Sequence, residues 1–506
     1  MKKKTIVHTS LPERECPQVS DSPIECAKDD LFSRGAYVQM LCTLVMGGRS
    51  IANSKGARFI GVYAPWGDGK TSVRNLLEEC INLDYGQGSA VFVDFAPWKY
   101  QSAEVARLVL FEKISKEIAG AGNDDVAFLF KRLAGLVSLQ RLDRSAGAIH
   151  AVVDWMRRLW FTWVMPEERI LDALRTLLMQ LTSRVVVVVD DLDRLPHDDV
   201  NSIIRFLKAN GDLPNITYLI LADEDYLAAA VSKMVERPDK FSIEVGREYL
   251  EKIIPIRCPL PAINGWRIFD EFKNSLEQML REYAITVDDP CDGCDWVLPY
   301  LGNARQSKRL LNAFSVQLAT FKKKLGGRAY LNVHIGDLLV LTALRTFEHK
   351  FYEAIWDGYM GMLANSWHYF VDDKGMSVEW MEEHFYKHVK TEHRQRVEKF
   401  LSDRLGVTSS GGGVYDQKPK TYRLANAKDP ALLLNYRLAS EYCFQNYFLM
   451  EVEDAQLSQD EMEHFLAEIQ QCKIPEEQLK ELDKRGQLPF LLFALESVKT
   501  IKTRDV

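Results

Sequence analysis

Several things are missing from this 506-residue chain, and each absence narrows what it can be. It has no uninterrupted apolar run of the ~20 residues that a membrane-crossing helix needs. The nearest approach is the tryptophan-rich stretch Ala151 to Met165, which is too short and is broken by Asp154, Arg157 and Arg158. No transmembrane span is expected, and that stretch reads as a helix buried against a core or a partner. The basic start Lys2-Lys3-Lys4 is not followed by an apolar segment between Thr5 and Pro23, so no secretory signal is expected. The 9 cysteines are scattered in a chain too large to need disulfide staples, which suggests a reducing, cytoplasmic setting. Cys291 and Cys294 form a CxxC with no second pair or spaced histidine to complete a zinc site. An excess of positive charge is also lacking. A net charge of −7 argues against direct nucleic-acid binding by the surface as a whole.

What is present is the composition of a globular protein, 47% apolar and 27% charged, with length for two to four domains. The chain is organised around Tyr63-Ala-Pro-Trp-Gly-Asp-Gly-Lys-Thr-Ser72. A compact apolar run ending at Val62 precedes it. A helical pattern with Val73, Leu76, Leu77, Cys80 and Ile81 on one face follows. Strand, glycine-containing loop, Lys-Thr and helix is the arrangement that wraps a chain of phosphates. Gly67 and Gly69 let the backbone curl so that N–H groups converge on an anion. The nucleotide-binding set expected here is Trp66, Gly67, Asp68, Gly69, Lys70, Thr71 and Ser72. Lys70 would reach the β- and γ-phosphates, and Thr71 would hold Mg²⁺. Ala64 replaces the first glycine of the usual pattern, and Asp68 places a carboxylate near phosphates.

Five consecutive valines, Val185 to Val189, run into Asp190, Asp191, Leu192, Asp193 and Arg194. Such a run suits a strand buried on both faces of a parallel sheet, whose C-terminal end is where such sheets place their chemistry. Asp190 is the second expected Mg²⁺ residue, and Asp191 is the group expected to polarise an attacking water. Further strands are expected at Arg58 to Tyr63, Val91 to Phe95, Ile216 to Ala222 and Ile253 to Arg257. Asp223, at the end of the fourth, is expected beside the γ-phosphate. Residues 101–182 read as a helical insert. Lys322 to Lys324 read as the end of a helix opened by Asn303, and Val333 to Trp356 as one long helix. The expected division is a polar lead segment (1–29), a nucleotide-binding core (30–262), a helical lid (263–330) and a C-terminal helical domain (331–506).

Taken in order, these pieces resemble the KAP family of P-loop NTPases. The resemblance rests on Ala64 to Thr71, Phe95-Ala-Pro-Trp-Lys-Tyr100, Val189-Asp-Asp-Leu-Asp-Arg194 and Tyr218 to Asp223, continuing through Tyr249 to Ile254, Ala304 to Asn312 and Asp337 to Arg345. It implies an α/β fold: a parallel-sheet, additional-strand P-loop NTPase core with a helical lid and a mainly helical C-terminal domain. It also implies ATP and Mg²⁺ as cofactors, with Arg305 of the lid neutralising phosphate charge. Arg247 stands where related ATPases put an arginine finger that acts on a neighbouring subunit, and Arg194 is the other candidate. Bacterial relatives often serve in anti-phage defence operons, among them the Qat four-gene system. Other protein subunits, encoded nearby, and self-association are therefore the expected partners.

Two functions are compatible with these residues. One is an ATPase that couples hydrolysis to conformational change or assembly in a multi-protein complex. The other is a nucleotide-gated scaffold that binds ATP, hydrolyses little, and docks partners through its helical tail. Hydrolysis needs Asp191 and a finger arginine, whereas a switch needs only Lys70 and the lid.

Overall fold

In the computed structural model the chain forms two compact units, Ser22–Asn264 and a second built from Met1–Asp21 with Gly265–Val506. The structure describes residues 22–47, 56–142, 167–233 and 243–264 of the first. Of the second it describes 19–20, 265–285, 287, 289–321, 323–325, 328–330, 333–368, 376–389, 393–410, 420–424, 432, 435–440, 443–449, 457, 459–470, 475–488, 490–492 and 495. The tryptophan-rich stretch and most of the polar lead segment lie outside the described residues.

The first unit is a five-stranded parallel sheet in the order β2-β3-β4-β1-β5. Its strands are β1 (Arg58–Tyr63), β2 (Ala90–Phe95), β3 (Arg184–Asp190), β4 (Ile216–Ala222) and β5 (Ile256–Pro259). β4 therefore lies between the strand that leads into the glycine loop and the valine strand, the additional-strand arrangement. Alternation along β3 explains its composition. Val185, Val187 and Val189 join one core, while Val186 and Val188 join the other. The first core is completed by the insert helices and those after β3. These are α3 (Ala103–Gly120), α4 (Asp124–Leu142), α5 (Glu167–Gln180), α6 (His197–Ala209), α7 (Glu224–Ser232) and α8 (Ile243–Ile253). Helices α1 (Gly35–Met46) and α2 (Lys70–Tyr85) cover the opposite face through Leu41, Val45, Val73, Leu77 and Ile81. A strand apolar on both sides is thus sandwiched between two helical layers.

The expected fifth strand is shifted. Ile253 closes α8, and β5 begins at Ile256 and includes Pro259, which an edge strand tolerates because one side needs no donor. Since all five strands are parallel, their C-terminal ends share one edge. Tyr63 is level with both Ala222 and Pro259, Asp190 with Leu221, and Phe95 with Val189.

The second unit is mainly helical. Helix α9 (Gly265–Glu282) buries Ile268, Phe269, Phe272, Leu276, Met279 and Leu280, the stripe its periodicity predicts. Cys291 and Cys294 are free thiols at a turn. The helix from Ala304 ends at Phe321, and Lys323 and Lys324 belong to a short antiparallel hairpin with Arg328–Tyr330. The single long helix expected from Val333 is instead two, Ile335–Phe347 and His349–His368. They part at Glu348, whose backbone leaves the helical region. A buried ionic knot ties this unit: Asp337, fully buried, accepts from Arg404, Arg437 and the backbone of Leu438. Asp292 pairs with the same Arg404, which holds its carboxyl below the usual carboxylate range against the opposing effect of burial. Two acids satisfied by two guanidiniums explain how such charges are tolerated inside a protein.

Candidate nucleotide site

Three adjacent strand ends build the site. After β1 the chain turns through Gly67 (φ +97°) and Gly69 (φ +81°), left-handed conformations that a side chain rarely adopts. Gly69 also caps α2, whose first residue is Lys70. The loop is braced from behind by Arg34, a buried side chain just before α1. Its guanidinium donates to the carbonyls of Asp68 and, at 3.2 Å, of Gly69. A Cβ at Gly69 would lie 2.7 Å from the Arg34 Nη1, so a side chain there would have to displace the guanidinium as well as adopt φ +81°. The two bonds from Arg34 draw the loop's carbonyls toward a cation; amides converging on the opposite side would make an anion cradle. Burial pushes the Asp68 carboxyl up, and the nearby Arg34 and Lys70 act against that shift.

Lys70 is 8% exposed. Its ammonium donates to the carbonyls of Ala64 at 2.8 Å and Pro65 at 3.2 Å, and Asp193 stands 3.8 Å away. The Thr71 hydroxyl donates to Oδ2 of Asp190 at 3.0 Å, so residues 119 positions apart meet at one point. A hydroxyl beside a carboxylate is a hard-oxygen donor set that fits Mg²⁺, which takes few protein ligands and keeps phosphate oxygens and waters for the rest. Burial first, and the neighbouring Asp191 second, raise the Asp190 carboxyl above its ordinary value. Thr71 and the Asp191 amide oppose that shift.

Asp191 lies beyond β3 in a left-handed conformation, φ +60°, which an aspartate tolerates better than most residues. Both of its oxygens are held. Arg194 Nη2 is 2.9 Å from Oδ1, and the Trp98 indole Nε1 donates to Oδ2 at 3.0 Å. Arg194 in turn lies over the Trp98 ring at 4.7 Å and the Trp66 ring at 5.9 Å.

Other expected site residues stand as follows. Asp223 follows β4 and caps α7, accepting from the amides of Asp225 and Tyr226. Its neighbour Ala222 accepts from the Ala64 amide, so Asp223 is next to the loop's entrance. The Ser72 hydroxyl accepts from the Ile24 amide at 3.3 Å, so its side chain is engaged with the incoming segment. Arg247, 40% exposed along its side chain, pairs with Asp225 on the adjoining helix. Arg305 is in the first turn of Ala304–Phe321, in the second unit.

Arg34 and the contact of Trp98 with Asp191 were not anticipated from sequence. A lone arginine before an amphipathic helix carries no periodic signal. Trp98 was legible as part of the Phe95–Tyr100 run, though its partner was not.

Comparisons with known proteins bear on the same region. The phage T7 exclusion protein of Escherichia coli strain K12 is 23% identical over 287 residues, 52% of this chain and 37% of that protein. The chain therefore spans little more than a third of that relative's length. Among solved structures, the Aeropyrum pernix ORC2 protein is matched at 14% identity and a TM-score of 0.35, over 78% of this chain and 90% of that one. The Aeropyrum pernix ORC1 protein in complex with DNA is matched at 12% identity and a TM-score of 0.32, over 81% and 90%. Residues 37–321, which include every strand of the sheet and the glycine loop, match the KAP family P-loop domain, and the chain belongs to that family.

Proposed function

We propose that the chain is a Mg²⁺-dependent ATPase whose hydrolysis drives conformational change or assembly in a multi-protein complex serving anti-phage defence. The observation that carries this reading is the meeting of Thr71 and Asp190 at 3.0 Å, with Lys70 on one side and Asp191 on the other. The defence setting draws support from the relative named for phage exclusion.

In this reading the loop amides and Lys70 bind the phosphates and fix their orientation. Thr71 and Asp190 hold Mg²⁺, which when bound neutralises charge on the phosphate oxygens. Asp191 orients water and accepts its proton. Asp223, at the loop's entrance, senses the γ-phosphate, and Arg305 neutralises charge as the lid closes. Arg247 serves as a finger for a neighbouring copy. Its pairing with Asp225 is an exposed one, which solvent screens and which a phosphate can displace.

The test is Asp191→Asn. ATP binding should persist while turnover falls by ~10²–10⁴, the scale of losing a general base. Hydrolysis at the parental rate would remove the role given to Asp191, whereas ATP binding with no turnover by the parental chain would leave a nucleotide-gated scaffold as the surviving function.

A further inference from the structure

We propose that Trp98 is a positioning residue for hydrolysis, holding the Asp191 carboxylate in one orientation through its indole N–H, with Arg194 as the second anchor. The inference rests on the proposed ATPase reading and adds to it a residue outside the glycine loop and the acid pair.

Trp98 lies in the 3-10 turn Pro97–Lys99 that follows β2. β2 pairs with β3 along its whole length, with Phe95 level with Val189, so this turn sits beside the acidic end of β3. An indole in such a turn could be simple core filling. Its surroundings argue otherwise: 40% of Trp98 is exposed, so it adds little to the interior, while its one polar atom is 3.0 Å from Asp191 Oδ2. The tryptophan side chain has a single donor and no acceptor, and here that donor is given to a carboxylate oxygen.

The second anchor acts on the other oxygen. Arg194 Nη2 contacts Oδ1 at 2.9 Å while its guanidinium packs over Trp98 at 4.7 Å. Arg194 therefore depends on the same ring that fixes Oδ2. Two donors on two oxygens remove the carboxylate's rotational freedom and leave its remaining lone pairs aimed in fixed directions. That is what a group needs if it is to hold a water in line with a phosphate, where small displacements are costly. Arg194 is on this account a residue acting within its own subunit. The finger role across an interface is left to Arg247.

Trp98→Phe keeps a ring over Arg194 and deletes only the donor, and the side chain is exposed enough for the variant to fold. Single-turnover hydrolysis and ATP titration are measured for Trp98→Phe, Asp191→Asn and the double variant. Trp98→Phe should lower the hydrolysis rate roughly tenfold and change ATP affinity by less than about twofold, since it touches no phosphate-binding group. On the Asp191→Asn background the same change should have less than about a twofold further effect, because residues acting through one another are not additive. An unchanged rate in Trp98→Phe overturns the proposal and leaves the ATPase reading standing. A tenfold loss that persists on the Asp191→Asn background also overturns it, by showing that Trp98 acts on something else. Parental hydrolysis in Asp191→Asn overturns it together with the role given to Asp191, and no hydrolysis by the parental chain overturns the ATPase reading.

Discussion

Replacing Lys70 by alanine is the perturbation whose size the structure allows to be worked out. An ammonium about 4 Å from a phosphate charge contributes about 4 kcal/mol at an effective dielectric near 20. That gain is not free, because the ammonium already donates to the carbonyls of Ala64 and Pro65 and faces Asp193. Turning toward a phosphate weakens those bonds, each with a net contribution of about 0.5–1.5 kcal/mol. A difference of about 1–3 kcal/mol remains, and at ~1.4 kcal/mol per decade the affinity for ATP should fall roughly 10- to 10²-fold. Hydrolysis should fall further, since the same charge is needed as the phosphates separate. Calorimetric titration of Mg²⁺-ATP into Lys70→Ala reads the first number directly, with a thermal melt to show that the fold is kept. A folded variant binding ATP within about threefold of the parent would refute the assignment of Lys70 to the phosphates.

Two further outcomes follow from groups around the same loop. Because burial and Asp191 raise the Asp190 carboxyl, its proton is bound more tightly in the folded than in the unfolded chain. Its contribution to stability is therefore fully present below the ordinary carboxylate range and is lost as pH rises through the raised value. Mg²⁺ competes with that proton, so Mg²⁺ affinity at fixed ATP should fall as the pH is lowered through the raised value, and more steeply than in Asp190→Asn; the same pH dependence in both would take Asp190 out of the metal site. Arg34→Ala removes charge-assisted bonds to the Asp68 and Gly69 carbonyls and should weaken ATP binding roughly 10–100-fold, with a lowered melting temperature. Unaltered binding would show that the loop holds its shape without the brace.

Local sequence was enough wherever one short segment carried the whole pattern. Val185 to Val189 could only be a strand apolar on both faces, and β1 and β4 fell at their expected bounds for the same reason. The glycines of the loop announced themselves because left-handed backbone excludes most other residues, and the stripe on Gly265–Glu282 followed from helical spacing. The encounter of Thr71 with Asp190 was inferred from motif order and is found at 3.0 Å.

Features whose cause lies elsewhere in the chain were not legible. The break at Glu348 interrupts an apolar pattern containing no proline or glycine at that point, so packing on either side decides it. The hairpin that takes up Lys323 and Lys324 is too short for periodicity to distinguish from a helix end. Arg34 acts on carbonyls 34 and 35 residues ahead of it, and Trp98 on a carboxylate 93 residues ahead. Composition and periodicity set which segments become strands and helices, because those depend on neighbours within a turn or two. Only the stacking of five parallel strands, with their ends along one edge, determined which charge each carboxylate and guanidinium would meet.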